Sequence, residues 1–210
     1  MAEQALFEQI ANDIYLRGYS VRENALPETL ASSLASQVVE LAEERFRRAG
    51  IGRMEDHARI EVVRRDEICW IDGSTATGAA WQAWAGQLQT YMNRRLFLGL
   101  FSFESHYAHY APGDYYRKHV DAFRGQQNRI LTVVSYLNPD WSPGDGGELR
   151  IYPEDGDVPL LTVDPVFGTV VVFLSEEFPH EVLPAVKDRY SIAGWYRINS
   201  STSDRVDPAR

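Results

Sequence analysis

From Gly99 onward the chain breaks into short apolar runs separated by turn-forming clusters, and that rhythm restricts the fold more than any other feature. The runs are Phe103 to Tyr110, Tyr115 to Asp121, Arg129 to Leu137, Glu148 to Tyr152, Leu160 to Val163, Thr169 to Leu174, His180 to Leu183 and Tyr190 to Ile198. They are rich in β-branched and aromatic residues, which suit a pleated, half-buried surface. Between them stand Pro112-Gly113, Asn138-Pro139, Pro143-Gly144-Asp145-Gly146-Gly147, Asp155-Gly156-Asp157 and Phe167-Gly168, which supply turn dihedrals. Runs this short and evenly spaced predict a jelly-roll sandwich or barrel, a double-stranded β-helix.

The first part of the chain has a different period. Leu6, Phe7, Ile10 and Ile14 recur at helical spacing, which predicts a helix ending near Gly18. Pro27 suits the first turn of a second helix, with Leu30, Leu34, Val38, Leu41 and Phe46 on one face and a stop at Gly50. The cluster Glu43, Glu44, Arg45, Arg47 and Arg48 reads as a solvated face. Ala58 to Arg64 and Ile68 to Asp72 read as short strands on either side of the charged run Arg64 to Glu67. Gly73 to Gly78 reads as a flexible loop, without the lysine of a phosphate-binding loop. Ala79 to Leu98 returns to helix, and its Trp81, Trp84, Leu88, Tyr91, Met92 and Leu96 suit a core. The expected architecture is mainly β with supporting α-helices, the N-terminal helices packed on one face of the barrel. It forms a single domain over 1–210, with a helical part to 56, a catalytic core over 57–198 and a frayed tail over 199–210.

At 44% hydrophobic and 24% charged residues, the chain has the profile of a soluble globular protein. A net charge of −9 argues against a phosphate-neutralising surface, so no nucleic-acid partner is expected. No apolar run approaches membrane-spanning length, and the N-terminus has no signal-peptide pattern. Cys69 is the only cysteine, so no intramolecular disulfide can form, which fits a reducing cytoplasm.

Chemistry enters at Tyr115 to Asp121, Y-Y-R-K-H-V-D. In a strand, residues i and i+2 share a face, so His119 and Asp121 project together. They make two-thirds of a facial triad of two His and one carboxylate, which suits Fe(II) that activates oxygen. By themselves they equally fit a surface ion pair. His180 follows a strongly apolar run and opens H-E-V-L-P. Arg189 lies in another alternating strand, and a guanidinium entering a core is costly unless an anion meets it. A carboxylate-bearing ligand would satisfy its planar fork, and so would an internal salt bridge to Asp188 or Glu181. His106 and His109, three apart in one strand, face opposite ways and read as ordinary polar residues; His57, in a charged loop, is assigned nothing.

Taken together, His119-x-Asp121, His180 and Arg189 in a late-β chain resemble the Fe(II)/2-oxoglutarate-dependent dioxygenases. Tyr110-Ala-Pro-Gly, Tyr116-Arg-Lys-His119-Val-Asp121, Tyr136-Leu-Asn-x-Asp-Trp141, Gly146-Gly-Glu-Leu-Arg-Ile151, Pro179-His-Glu-Val-x-Pro184 and Arg189-Tyr-x-Ile-x-x-Trp195-Tyr196 are similar to the prolyl-hydroxylase-domain subfamily. The match runs from Val62 to Tyr196, and the compact chain resembles the bacterial branch, which modifies elongation factor Tu. The resemblance implies Fe(II) held by His119, Asp121 and His180. It implies 2-oxoglutarate clamped by Arg189 with the Tyr136 hydroxyl and bordered by Tyr110, with O2 as the other cosubstrate and ascorbate as a candidate reductant. It also implies that Trp195 and Arg129 line a prolyl-peptide site. The stretch Arg64-Arg-Asp66-Glu-Ile-Cys-Trp70-Ile would begin a mobile lid, with Arg64, Asp66 and Trp70 at the substrate and Gly73 to Gly78 flexing. Three features depart from the animal enzymes: a shorter stretch between Tyr110 and His119, Ala122-Phe123-Arg124 after the Asp, and the lid beyond Ile71.

The implied reaction is hydroxylation of a prolyl residue at its 4-position in a protein, with elongation factor Tu expected as substrate and succinate and CO2 released. Ionised Asp121 and neutral imidazoles bind iron best, so affinity should weaken at acid pH. A related oxygenase acting on a free amino acid, and a non-catalytic metal-binding barrel, are the alternatives. The barrel would have no use for Arg189.

Overall fold

The computed structural model describes residues 2–42, 46–48, 63–122 and 128–199. Helix α1 (Ala2–Arg17) runs where its apolar spacing predicts. It stops at Gly18, which adopts a φ of +78° and donates its N–H to the Ile14 carbonyl (3.0 Å). Strand β1 (Tyr19–Arg22) then follows at once, an element without a strong enough pattern to be foreseen. Helix α2 (Glu28–Ala42) is shorter than expected. Phe46 lies beyond it, buried edge-on against His109 and leading into β2 (Arg47–Arg48). Glu43, Glu44, Arg45, Gly50, His57, Phe123, Arg124, most of the strand expected from Ala58 and the end of the tail fall outside the described residues.

Strand β3 (Glu67–Trp70) begins inside the charged run, because Asp66 is neutralised by Arg64 and can be buried. The expected flexible loop at Gly73 to Gly78 is instead the capped start of helix α3 (Ala76–Leu96). The Asp72 carboxylate accepts the Ser74 N–H (2.9 Å), and Thr75 Oγ1 accepts the Gly78 N–H (3.0 Å). Two side-chain acceptors satisfy N–H groups that a free loop would leave to water, so this segment is held. The helix ends at Phe97 in the left-handed conformation.

Each run predicted after Gly99 contains a strand: β4 (Leu100–Tyr110), β5 (Tyr116–His119), β6 (Arg129–Tyr136), β7 (Leu149–Ile151), β8 (Leu161–Val163), β9 (Val170–Leu174), β10 (His180–Val182) and β11 (Arg189–Ile198). They form two antiparallel sheets, in the orders β1-β9-β6-β11-β4-β3-β2 and β5-β10-β7-β8. The result is a jelly roll flanked by helices. Among the described residues no helix is long and apolar enough to cross a membrane.

Alternation in the large sheet builds two cores. Leu131 and Val133 of β6, Val170 and Val172 of β9, and Ile192 and Tyr196 of β11 turn toward the helices. There they meet Phe7, Ile10, Leu34, Trp81, Trp84 and Leu88. Trp81 and Trp84 stack (5.5 Å, 17°), and polar atoms lock the layer. Trp81 Nε1 donates to Ser105 Oγ (3.0 Å), and the Tyr196 hydroxyl donates to the Ala85 carbonyl (2.8 Å). The intervening residues Val134, Tyr136, Val171 and Phe173 face the small sheet, where Leu149, Ile151 and Val182 close the second core.

Gly194 sits where β11 has no room for a side chain: a Cβ there would lie 2.7 Å from Phe103 Cζ and 3.0 Å from Ser105 Cβ. Gly194→Ala should therefore cost about 1–3 kcal/mol, the usual penalty for overpacking. A urea unfolding midpoint equal to that of the parent protein would refute this.

Candidate active site

The strands bring the predicted residues into rows. Along β11, Arg189, Ser191, Ala193 and Trp195 share the inner face; across the register they oppose Tyr110, Ala108, His106 and Glu104 of β4. On the other side Ser191, Ala193 and Trp195 oppose Tyr136, Val134 and Thr132 of β6. This face and the small sheet enclose a cavity of about 400 Å³, lined among others by Arg189, Tyr110, His119, Asp121, His180 and Trp195.

His119 and His180 are cross-strand partners in β5 and β10. Asp121 reaches them differently from expectation. Strand β5 ends at His119, so Asp121 is not its same-face neighbour in a strand; the chain bends after Val120 and carries the carboxylate inward. The ligand atoms of all three residues lie within 4.8 Å of one another. Asp121 Oδ1 is 3.7 Å from His119 Nε2, and Oδ2 is 3.5 Å from His180 Nε2. Each imidazole donates Nδ1–H to a backbone carbonyl, His119 to Arg117 (2.8 Å) and His180 to Phe178 (3.0 Å). With Nδ1 committed to that bond, each ring has only Nε2 left to offer a metal, and that atom lies on the carboxylate side. Burial, and then His119, push His180 down to about 4, so it is neutral at pH 7. Burial alone would raise the Asp121 carboxyl, but His180, His119 and the Thr132 hydroxyl outweigh it and hold it well below the carboxylate range. A neutral His180 nitrogen and an ionised Asp121 oxygen are the protonation states in which these two residues ligate a divalent cation.

Arg189 is 1% exposed, and among the described residues no carboxylate meets it. Its Nε donates to the Gly147 carbonyl (2.8 Å) and one terminal nitrogen to Ser191 Oγ (3.2 Å), while its carbon lies 4.9 Å from the Tyr110 ring and 5.1 Å from the Tyr136 ring. The two internal partners foreseen as alternatives are occupied elsewhere. Asp188 binds His109 Nε2 (2.7 Å), and Glu181 accepts from the Tyr152 hydroxyl (2.5 Å). The Tyr136 hydroxyl is buried with no hydrogen-bond partner among the described residues, and burial pushes it up to about 12. A buried cation beside an unsatisfied hydroxyl fits a carboxylate arriving from outside the chain.

Toward the mouth, Trp70, 54% exposed, stands edge-on to His106 (5.2 Å), and His106 stands 5.4 Å from Trp195. Arg129 lies 3.9 Å over the Trp195 ring and donates to Glu104 (2.9 Å). Arg64 forks onto Asp66 through bonds of 2.7 and 2.5 Å, so these two predicted substrate contacts first satisfy each other. His106 corrects the reading of it as an ordinary polar residue: it is buried in the cavity wall, between two tryptophans. Strand alternation was the available signal, since His106, Ala108 and Tyr110 share a face. Thr132 and Ser175 were also missed, and no sequence pattern marks them; Gly147 stood in a quoted motif without its role beside Arg189.

A model of the 2OG-Fe(II) oxygenase superfamily matches residues 105–197, from β4 to β11. The structure of a Pseudomonas putida prolyl-4-hydroxylase is 39% identical with a TM-score of 0.83, covering 93% of this chain and 100% of that one. The chain belongs to the 2OG-Fe(II) oxygenase superfamily. A Trichoplax adhaerens prolyl hydroxylase, solved in complex with a peptide fragment of the hypoxia inducible factor oxygen degradation domain, is 28% identical with a TM-score of 0.83, covering 93% of this chain and 90% of that one. Egl nine homolog 1 of Rattus norvegicus is 42% identical over 86 residues, 40% of this chain and 25% of that protein. The chain thus matches about a quarter of that relative's length. Oxygenases of this superfamily use Fe(II), 2-oxoglutarate and O2. The residues present fit these groups: a two-His, one-carboxylate donor set for the metal, and for a dicarboxylate a buried guanidinium that no carboxylate among the described residues meets.

The cavity wall carries a pH signature. Burial, and then the Arg64 charge, push His106 from its ordinary 6.5 down to about 4. As pH falls through this window the unfolded chain takes up the proton first, so stability is complete above the upper value and lost toward the lower. Across the window the native protein should lose on the order of 3 kcal/mol more stability than His106→Gln. Parallel urea melts with no difference in pH slope would disprove it.

Proposed function

We propose that the protein is a prolyl 4-hydroxylase that modifies a prolyl residue in a protein substrate, with elongation factor Tu as the expected substrate. The observation that carries this reading is the meeting, in one cavity, of a facial donor set and a buried arginine that no carboxylate among the described residues meets. His119, Asp121 and His180 would hold Fe(II). Arg189 would receive the distal carboxylate of 2-oxoglutarate, with the Tyr136 hydroxyl beside it and Tyr110 as a wall. Bound Fe(II) with 2-oxoglutarate and O2 supplies the oxidising power that converts a C–H bond to C–OH, with succinate and CO2 as coproducts.

The chain's own residues bind, orient and exclude water. Val134, Ala108, Leu149 and Val182 give the cavity an apolar lining between the clamp and the mouth, which keeps bulk water from the reacting centre. The small side chains of Ala108 and Ala193 leave room above the sheet. Trp195, braced by Arg129, and the exposed Trp70 present aromatic faces at the entrance, against which the apolar proline ring and its flanking chain can pack. An entrance with an exposed tryptophan favours a polypeptide over a free amino acid. The relatives named as prolyl hydroxylases, one of them holding a peptide, support the same reading.

His119→Ala and His180→Ala should abolish 2-oxoglutarate turnover. Arg189→Ala should raise the 2-oxoglutarate concentration needed for half-maximal rate by about 10–100-fold, the loss of one charge-assisted hydrogen bond. Near-normal turnover of either His variant at limiting iron would remove the ligand assignment. For the substrate, intact-mass analysis of elongation factor Tu after incubation should show one added oxygen atom, on a proline. An active enzyme that leaves its mass unchanged would redirect the search to other proteins.

A further inference from the structure

The three residues that would hold the metal are each supported from behind, but not alike. His119 and His180 lean on backbone carbonyls, which substitution cannot remove. Asp121 leans on side chains: Thr132 Oγ1 lies 2.7 Å from its Oδ2, and Ser175 Oγ lies 3.0 Å from Thr132 Oγ1. Both hydroxyls are buried. Thr132 stands on the inner face of β6, and Ser175, just past β9, is pinned by its N–H bond to the Ile130 carbonyl (3.0 Å). The direction of the chain follows from proton counting. An ionised carboxylate can only accept, so Thr132 must give its single proton to Asp121 and can then only accept from Ser175. Buried hydroxyls with one permitted orientation form a rigid support.

We propose that Thr132 and Ser175 form a hydroxyl relay that occupies Oδ2 of Asp121 and leaves Oδ1 to bind the metal alone. A carboxylate free to rotate could close onto the cation with both oxygens and fill a position that a cosubstrate needs. The relay keeps it one-toothed, which preserves the open positions of a facial site. Thr132 and Ser175 are thus positioning residues, acting through Asp121. The inference rests on the metal-site reading above.

The test uses the full-length protein and Co2+ alone, without 2-oxoglutarate, following the visible d–d bands, whose intensity reports coordination number. The native protein should bind one Co2+ and His180→Ala should not. If this control fails, the metal-site reading falls and takes the relay with it. Thr132→Val, which replaces the hydroxyl by a methyl of equal size, should weaken Co2+ by about 10–100-fold and change the band intensity. Thr132→Ser should restore both, and Ser175→Ala should weaken binding by a smaller factor. A folded Thr132→Val with native affinity and spectrum overturns the relay, and so does a loss that Thr132→Ser fails to restore. Should Thr132→Val not fold, Ser175→Ala decides: an affinity within about twofold of native, with unchanged bands, overturns it.

Discussion

A full positive charge sits inside this protein with no carboxylate among the described residues to meet it, and the local structure is shaped around that fact. Burying a guanidinium is costly unless its donors are met. Arg189 is met only in part, by the Gly147 carbonyl and the Ser191 hydroxyl, and sits beside two tyrosine rings. Its presence dictates its neighbours. Gly147 adopts a φ of +69°, and a Cβ there would lie 3.0 Å from Arg189 Cδ and 3.0 Å from Trp141 Cζ2. The glycine-rich turn before β7 is therefore as much a seat for the arginine as a reversal of the chain. A dicarboxylate would complete the arrangement by bringing a negative charge.

The large sheet divides its labour by face. Residues of one parity on β6, β9 and β11 anchor the helices through a continuous apolar layer, with Trp81 and Tyr196 adding hydrogen bonds at its centre. Residues of the other parity carry the chemistry. Because the side-chain period of a strand is two, both roles can be written into the same few residues without conflict. Among the described residues, helices α1, α2 and α3 contribute no side chain to the cavity lining; they pack against the back of the sheet that forms its floor and hold it still.

The donor set joins the two sheets. His119 and His180 belong to the small sheet as a cross-strand pair, whereas Asp121 is held by Thr132 of the large sheet. Metal binding would thus tie the two layers together. The Arg64–Asp66 fork performs a similar service where β3 begins, packing its guanidinium over the Tyr116 ring at 4.5 Å.

How much of this was legible in the sequence follows from which interactions are local. Strand positions after Gly99, the three helices of the first hundred residues, and the candidate residues His119, Asp121, His180 and Arg189 could all be read, because alternation, turn residues and motif spacing are properties of neighbouring residues. The opening of α3 was misread as a loop, since Gly and Ser outweighed the single capping threonine that decides it. Strand β1 was missed because four residues carry too little pattern, and its existence depends on β9 offering an edge. By itself the sequence determined the architecture class and the identity of the chemical groups. Only the tertiary structure decided that Asp121 bends inward past the end of its strand, that Asp188 and Glu181 are taken by other partners, and that Thr132, with Ser175 behind it, reaches Asp121. Those outcomes are contacts between segments distant in the chain, and a distance across a cavity leaves no period in a sequence.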